Sequence, residues 1–176
     1  MAFSPQTYVY RRRLPHLQTR GKTYFLTFCT LERRVLSPVA RSIVWECMDH
    51  DHRLTYWLHS AVVMPDHAHM VFSPYDGWLL AKIMERVKSV SCRLINKALG
   101  TKGSLWQHES HDHILRSDES LAEKVEYIRD NPVIAGLASA PNEYLWLWPR
   151  ADEDAAGVGG ATSAAPAPEE LPVKKR

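Results

Sequence analysis

The architecture of this chain is written most plainly in Leu54–Ser73, LTYWLHSAVVMPDHAHMVFS. Two runs rich in aromatic, β-branched and aliphatic residues, Leu54–Met64 and His67–Ser73, flank Pro65-Asp66, a pair suited to a tight turn. The pattern predicts two antiparallel strands. Along the second, side chains alternate, so His67, His69 and Val71 share one face while Ala68, Met70 and Phe72 share the other. Two imidazoles about 7 Å apart along a strand suit a shared cation, and they equally suit half-buried structural histidines. The spacing alone leaves both readings open.

Working outward, Lys22–Thr30, KTYFLTFCT, reads as a strand. Ser37-Pro38 opens a helix over Pro38–Asp51, with proline in the first turn. Trp78–Leu99 places Leu79, Leu80, Ile83, Val87, Val90 and Leu94 at helical spacing, and Gly100 and Gly103 end that helix. His113–Arg116 suggests a short strand. Ser120-Leu-Ala-Glu123 is a capping-box pattern; the helix it starts is expected to run to about Asp130, where Asn131-Pro132 interrupts it, and Gly136 closes the turn that follows. The order strand–helix–strand–strand–helix–strand–helix predicts an α+β class, helices on an antiparallel sheet.

Composition narrows the function. Cys29, Cys47 and Cys92 are odd in number, far apart and in no CxxC spacing, which argues against a disulfide framework or a thiolate zinc site and fits a reducing cytoplasm. No apolar run is long enough for a membrane helix, and the N-terminus lacks the apolar segment of a signal peptide. The net charge is only +2, yet the first 34 residues carry seven arginines and lysines, among them Arg11, Arg12 and Arg13, against the single acid Glu32. A basic arm of this kind suits a polyanion such as nucleic acid. From Ala151 onward the chain is rich in Ala, Gly and Pro and has no aromatics, so residues 1–150 are expected to form one domain and 151–176 a disordered tail.

Two further stretches carry chemistry. In Glu126–Pro132, EYIRDNP, Tyr127 and Asn131 lie one turn apart on one face if the helix continues that far. A tyrosine attacks only a strongly polarised target, such as a phosphodiester beside a metal ion, and an amide oxygen suits a hard cation. An ordinary half-buried tyrosine and a helix-ending asparagine fit the same residues. Trp106–Arg116, WQHESHDHILR, is dense in groups that bind metals, phosphates or bases, and holds a second HxH pair, His111 and His113.

Taken together, VVMPDHAHMVF, LWQHESHDHILR and YIRDNPVIAGL, in that order, resemble the REP-associated tyrosine transposases of the single-tyrosine HUH superfamily. GKTYFLTFCTLERR and RVKSVSCRLINKALG are similar to that family's opening strand and long helix, so the likeness spans roughly residues 10–148. The resemblance implies a ferredoxin-like fold with both histidines on a central strand. It implies that His67, His69 and Asn131 hold Mg²⁺ or Mn²⁺, with zinc the second choice for a histidine pair, and that Tyr127 is the nucleophile. The implied activity is metal-dependent nicking and strand transfer on single-stranded DNA beside palindromic repeat hairpins, through a 5′-phosphotyrosine, with no nucleotide cofactor, by a monomer or homodimer in the cytoplasm. Arg11, Arg12, Arg13, Lys88, Arg93 and Arg116 are the expected DNA contacts, while Trp106 is expected in the core. Two rivals are a hairpin-binding protein that does not cut and a zinc-dependent hydrolase whose metal is bound by His67, His69 and members of the His108–His113 cluster.

Overall fold

A computed structural model describes residues 7–9, 17–19, 21–115 and 121–149. A short antiparallel pair, β1 (Thr7–Val9) and β2 (Leu17–Thr19), precedes the main body. The body runs β3 (Tyr24–Cys29), α1 (Pro38–Asp51), β4 (Tyr56–Val63), β5 (His67–Pro74), α2 (Leu80–Leu99), β6 (His111–Ile114), α3 (Leu121–Ile134) and β7 (Leu147–Trp148). The predicted tail, the Arg11–Arg13 run, Arg116 and the cap residue Ser120 lie outside the described residues.

The main sheet has the order β6-β3-β5-β4-β7, with every neighbouring pair antiparallel. Its first four strands form two interleaved split β-α-β units, the ferredoxin-like arrangement. The turn at Pro65-Asp66 is closed by the Met64 amide donating to the His67 carbonyl at 2.8 Å. That short connection makes β4 and β5 neighbours, and it leaves β5 in the middle of the sheet.

The two faces of the sheet are covered differently. Tyr24, Leu26, Phe28, Ala68, Met70 and Phe72 join the larger core under α1 and α2. Val62, Val71 and Ile128 belong to a smaller cluster under α3, with Phe25 packed against it. His67 and His69 have the strand parity of Val71, so they share the α3 face. This follows from the alternation along β5 and matches the expected division of faces.

α1 starts where Ser37 accepts the Ala40 amide at 3.2 Å with Pro38 in its first turn. α2 ends at Gly100, which adopts φ +66; the left-handed position is costly for a side chain and free for glycine. The expected break at Asn131-Pro132 is corrected by the structure: α3 runs on to Ile134 with Pro132 inside it. Pro132 has no amide to give the helix, at a general cost of about 3 kcal/mol for an interior proline. Ile128 and Pro132 are both buried, and the backbone recovers through the Ala135 amide on the Asn131 carbonyl and the Leu137 amide on the Pro132 carbonyl. Tertiary burial outweighs the local preference.

Three elements had no sequence signal: the β1–β2 pair, β7 on the edge of β4, and a tight turn at Leu31–Arg33. All three cysteines are free. Among the described residues no helix is long and apolar enough to cross a membrane.

Candidate active site

β5 presents His67 and His69 to the α3 side of the sheet, their ring centroids 4.8 Å apart and their planes at 78°. Each ring is fixed through Nδ1. His67 Nδ1 is 2.6 Å from Asp66 Oδ1. A carboxylate only accepts, so this nitrogen carries a proton. His69 Nδ1 is 2.8 Å from the hydroxyl of Thr27 on β3, the residue directly across the ladder. Among the described residues neither Nε2 has a hydrogen-bond partner.

His69 is only 6% exposed. Burial, and secondarily the charge of His67, push its pKa down to about 3, so it is neutral at any working pH. Burial alone would raise the Asp66 carboxyl, but the hydrogen bond and charge of His67 and the Arg33 guanidinium outweigh it and hold the group below its usual range. The result is a pair of imidazoles on one face, each braced at Nδ1 by an oxygen, a support of the kind that metal-binding histidines have.

α3 lays Tyr127 over this pair. Its ring centroid is 5.7 Å from that of His69 and 5.9 Å from that of Phe25, edge-on in both cases. The residue is 47% exposed. Because α3 does not break, Asn131 stands one turn beyond Tyr127 on the same face. Its Nδ2 donates to the Tyr127 carbonyl at 2.6 Å, which leaves the amide oxygen for another partner. The described residues contain no group of three His, Cys, Asp or Glu side chains placed for one ion.

The Leu31–Arg33 turn lies against the same corner. Glu32 and Arg33 both adopt positive φ, +55 and +56, which costs on the order of 1–3 kcal/mol each for such residues. The turn is held in place from several sides. Buried Thr30 donates its amide to the Asp66 carbonyl at 2.8 Å, Leu31 its amide to the Leu105 carbonyl at 2.7 Å, and Leu36 its amide to the Pro65 carbonyl at 2.6 Å. Its outcome is an Arg33 guanidinium 3.2 Å from Asp66 Oδ2.

The other expected contacts are placed as follows. Arg11, Arg12, Arg13 and Arg116 fall outside the described residues. Lys88 reaches inward, donating to the Gln107 carbonyl at 2.6 Å, the His108 carbonyl at 3.0 Å and the Ser110 hydroxyl at 3.0 Å. These bonds fasten the segment before β6. Arg93 is exposed on α2, the layer on the opposite face from the histidine pair. Trp106 is in the core, edge-on to Phe28 at 4.8 Å with its indole N–H on Ser91. His111 and His113 stand across from Thr27 and Phe25, on the histidine face but with β3 between them and β5. Sequence reasoning passed over Thr27 and Arg33, since only strand register and a non-helical turn bring them to the site.

A model of the family of IS200-like transposases matches residues 21–131. A solved structure of a REP-associated tyrosine transposase bound to a REP hairpin is similar in fold, at 19% identity and a TM-score of 0.63, covering 97% of this chain and 99% of that one. A candidate transposase from Deinococcus radiodurans R1 is 21% identical over 64% of this chain and 95% of that one, with a TM-score of 0.44. No curated protein matches the chain.

Proposed function

Because this chain belongs to the IS200-like transposase family, we propose that it nicks and rejoins single-stranded DNA beside palindromic repeat hairpins with Tyr127 as the nucleophile. The observation that carries the reading is the edge-on contact of Tyr127 with His69 on one face of the central strand, ring centroids 5.7 Å apart. The pairing of nucleophile and imidazole donors comes from two elements about sixty residues apart. A hairpin substrate is suggested by the neighbour of the same fold, which is itself bound to a REP hairpin.

The chemistry is a transesterification. The Tyr127 oxygen attacks phosphorus in line, the bond from phosphorus to the 3′ oxygen breaks, and a 5′-phosphotyrosine and a free 3′-hydroxyl result. The phenolic proton is lost to solvent and the departing 3′ oxygen gains one. A 3′-hydroxyl, the same or one from another strand, reverses the step. The bond energy is kept in the covalent link, so no nucleotide cofactor is needed. A divalent cation, Mg²⁺ or Mn²⁺, held by His67, His69 and Asn131, would supply Lewis-acid polarisation of the scissile phosphate. The chain's own residues orient the reaction: Asp66 and Thr27 fix the imidazole tautomers, and Phe25 and Ile128 set the height of Tyr127 above the sheet.

The test is a labelled single-stranded oligonucleotide carrying the palindrome that flanks the gene, incubated with Mn²⁺ and run on a denaturing gel. Wild type should give a cleaved strand and a band shifted by covalently attached protein. Tyr127→Phe should give neither while still binding the oligonucleotide. Cleavage that survives Tyr127→Phe would remove the tyrosine from the mechanism.

A further inference from the structure

The turn at Leu31–Arg33 is unusually well fastened for a surface connection. Two successive non-glycine residues occupy the left-handed region, a conformation that persists only where surrounding contacts impose it and that concentrates at functional sites. Those contacts converge on the Pro65-Asp66 turn that precedes the histidine pair. The Thr30 hydroxyl is 2.8 Å from the Arg34 carbonyl and 3.0 Å from that of Asp66, and the Gln107 side chain donates to the Thr30 carbonyl at 3.1 Å.

The charges sort themselves unequally. Glu32 is matched by Arg34 at 2.9 Å. Arg33 touches Asp66 Oδ2 through one terminal nitrogen at 3.2 Å, and its side chain stays 57% exposed. Asp66 is committed on its other oxygen to His67. A guanidinium has five N–H donors in a planar fork, so most of its donors face outward, one carboxylate away from a metal-binding histidine. A single contact to a carboxylate would not need two strained residues, since any lysine or arginine on an ordinary loop would supply it.

We propose that Arg33 is a substrate-binding residue, its guanidinium parked on Asp66 and gripping a non-bridging oxygen of a DNA phosphate next to the one attacked by Tyr127. The proposal rests on the DNA-cleaving reading above and adds a residue to it. Charge-assisted, forked contacts of this sort both strengthen and orient phosphate binding. The phosphate so held would fix the scissile linkage relative to His67, because Asp66 joins the two.

The test uses the full chain and the same hairpin oligonucleotide, with binding measured without metal. Arg33→Gly removes the side chain and suits φ +56, so it should fold at least as well as wild type; Arg33→Lys keeps the charge without the fork. Replacing individual phosphates near the cleavage point by uncharged methylphosphonates should weaken wild-type binding about 10-fold or more at one linkage and leave Arg33→Gly indifferent there. The salt slope of log affinity should shrink by about 0.7 in Arg33→Gly, the loss of one phosphate contact on a single strand, and stay at the wild-type value in Arg33→Lys. Mn²⁺ affinity without DNA separates the plainer alternative. If Arg33→Gly changes Mn²⁺ affinity but keeps the wild-type slope and methylphosphonate profile, Arg33 merely braces Asp66 and the proposal fails. If wild type binds but forms no covalent adduct, the cleavage reading fails while these binding readouts still decide the role of Arg33; a wild type that does not bind the oligonucleotide defeats both.

Discussion

Thr27 shows how much a single hydroxyl carries at the residue scale. Its hydroxyl holds His69 at Nδ1, at 2.8 Å, and so fixes the ring whose centroid lies 5.7 Å from that of Tyr127. Thr27→Val keeps the shape and β-propensity of the residue and deletes the hydroxyl that meets Nδ1. Mn²⁺ affinity by titration calorimetry should fall about 10–100-fold, the usual result of losing an outer-shell partner, with little change in melting temperature. An unchanged affinity would mean that strand geometry alone orients His69. His67 and His69 themselves were legible from sequence because an HxH pair on a strand must share a face. Thr27 was not, because its meeting with His69 depends on a register between strands 42 residues apart.

At the scale of elements, α3 is the part whose placement matters most. It brings Tyr127 to the sheet, and it does so through Ile128, which is fully buried against the smaller cluster around Val62 and Val71. Ile128→Ala should cost about 2–5 kcal/mol of stability by chemical denaturation. It should also slow single-turnover cleavage by more than the folded fraction explains, since the helix loses the contact that sets the tyrosine's height. A loss confined to stability would mean that Tyr127 is held by its own ring contacts with Phe25 and His69. The helix was visible in the sequence, but its end was not. A proline after asparagine reads locally as a stop; burial of the Ile128–Pro132 face under the sheet overrides it and keeps Asn131 in line with Tyr127. In the same way the LER turn read as basic surface, because positive φ at Glu32 and Arg33 is imposed by hydrogen bonds to Pro65, Asp66 and Leu105 rather than by their own preferences.

For the molecule as a whole, partly buried histidine contributes to the response to acid. His59 sits at the irregularity in the β4–β5 ladder, with Nε2 2.8 Å from the Ser73 hydroxyl. Burial, and then the charge of His52, lower its pKa to about 4. The unfolded chain would take up this proton near pH 6.5, the folded chain only near 4. Between those values the unfolded state binds more protons, so stability is full above about 6.5 and is lost as pH falls toward 4. His69 acts in the same direction. Urea unfolding at pH 7 and pH 5 should therefore show a loss in wild type that is smaller by about 2 kcal/mol in His59→Gln. Equal losses in the two proteins would contradict the assignment. The sequence by itself determined the order of the main strands and helices from β3 to α3, the antiparallel hairpin around Pro65-Asp66 and the shared face of His67 and His69, because strand and helix periodicities are local rules; that α3 carries its last turn through Asn131 was left to the tertiary structure. The tertiary structure alone decided that α3 lies on the histidine face while α1, α2 and Lys88 lie elsewhere, that Thr27 and Asp66 brace the imidazoles, and that a strained turn delivers Arg33. Those outcomes depend on which surfaces find burial together across long stretches of chain, and no local pattern records that choice.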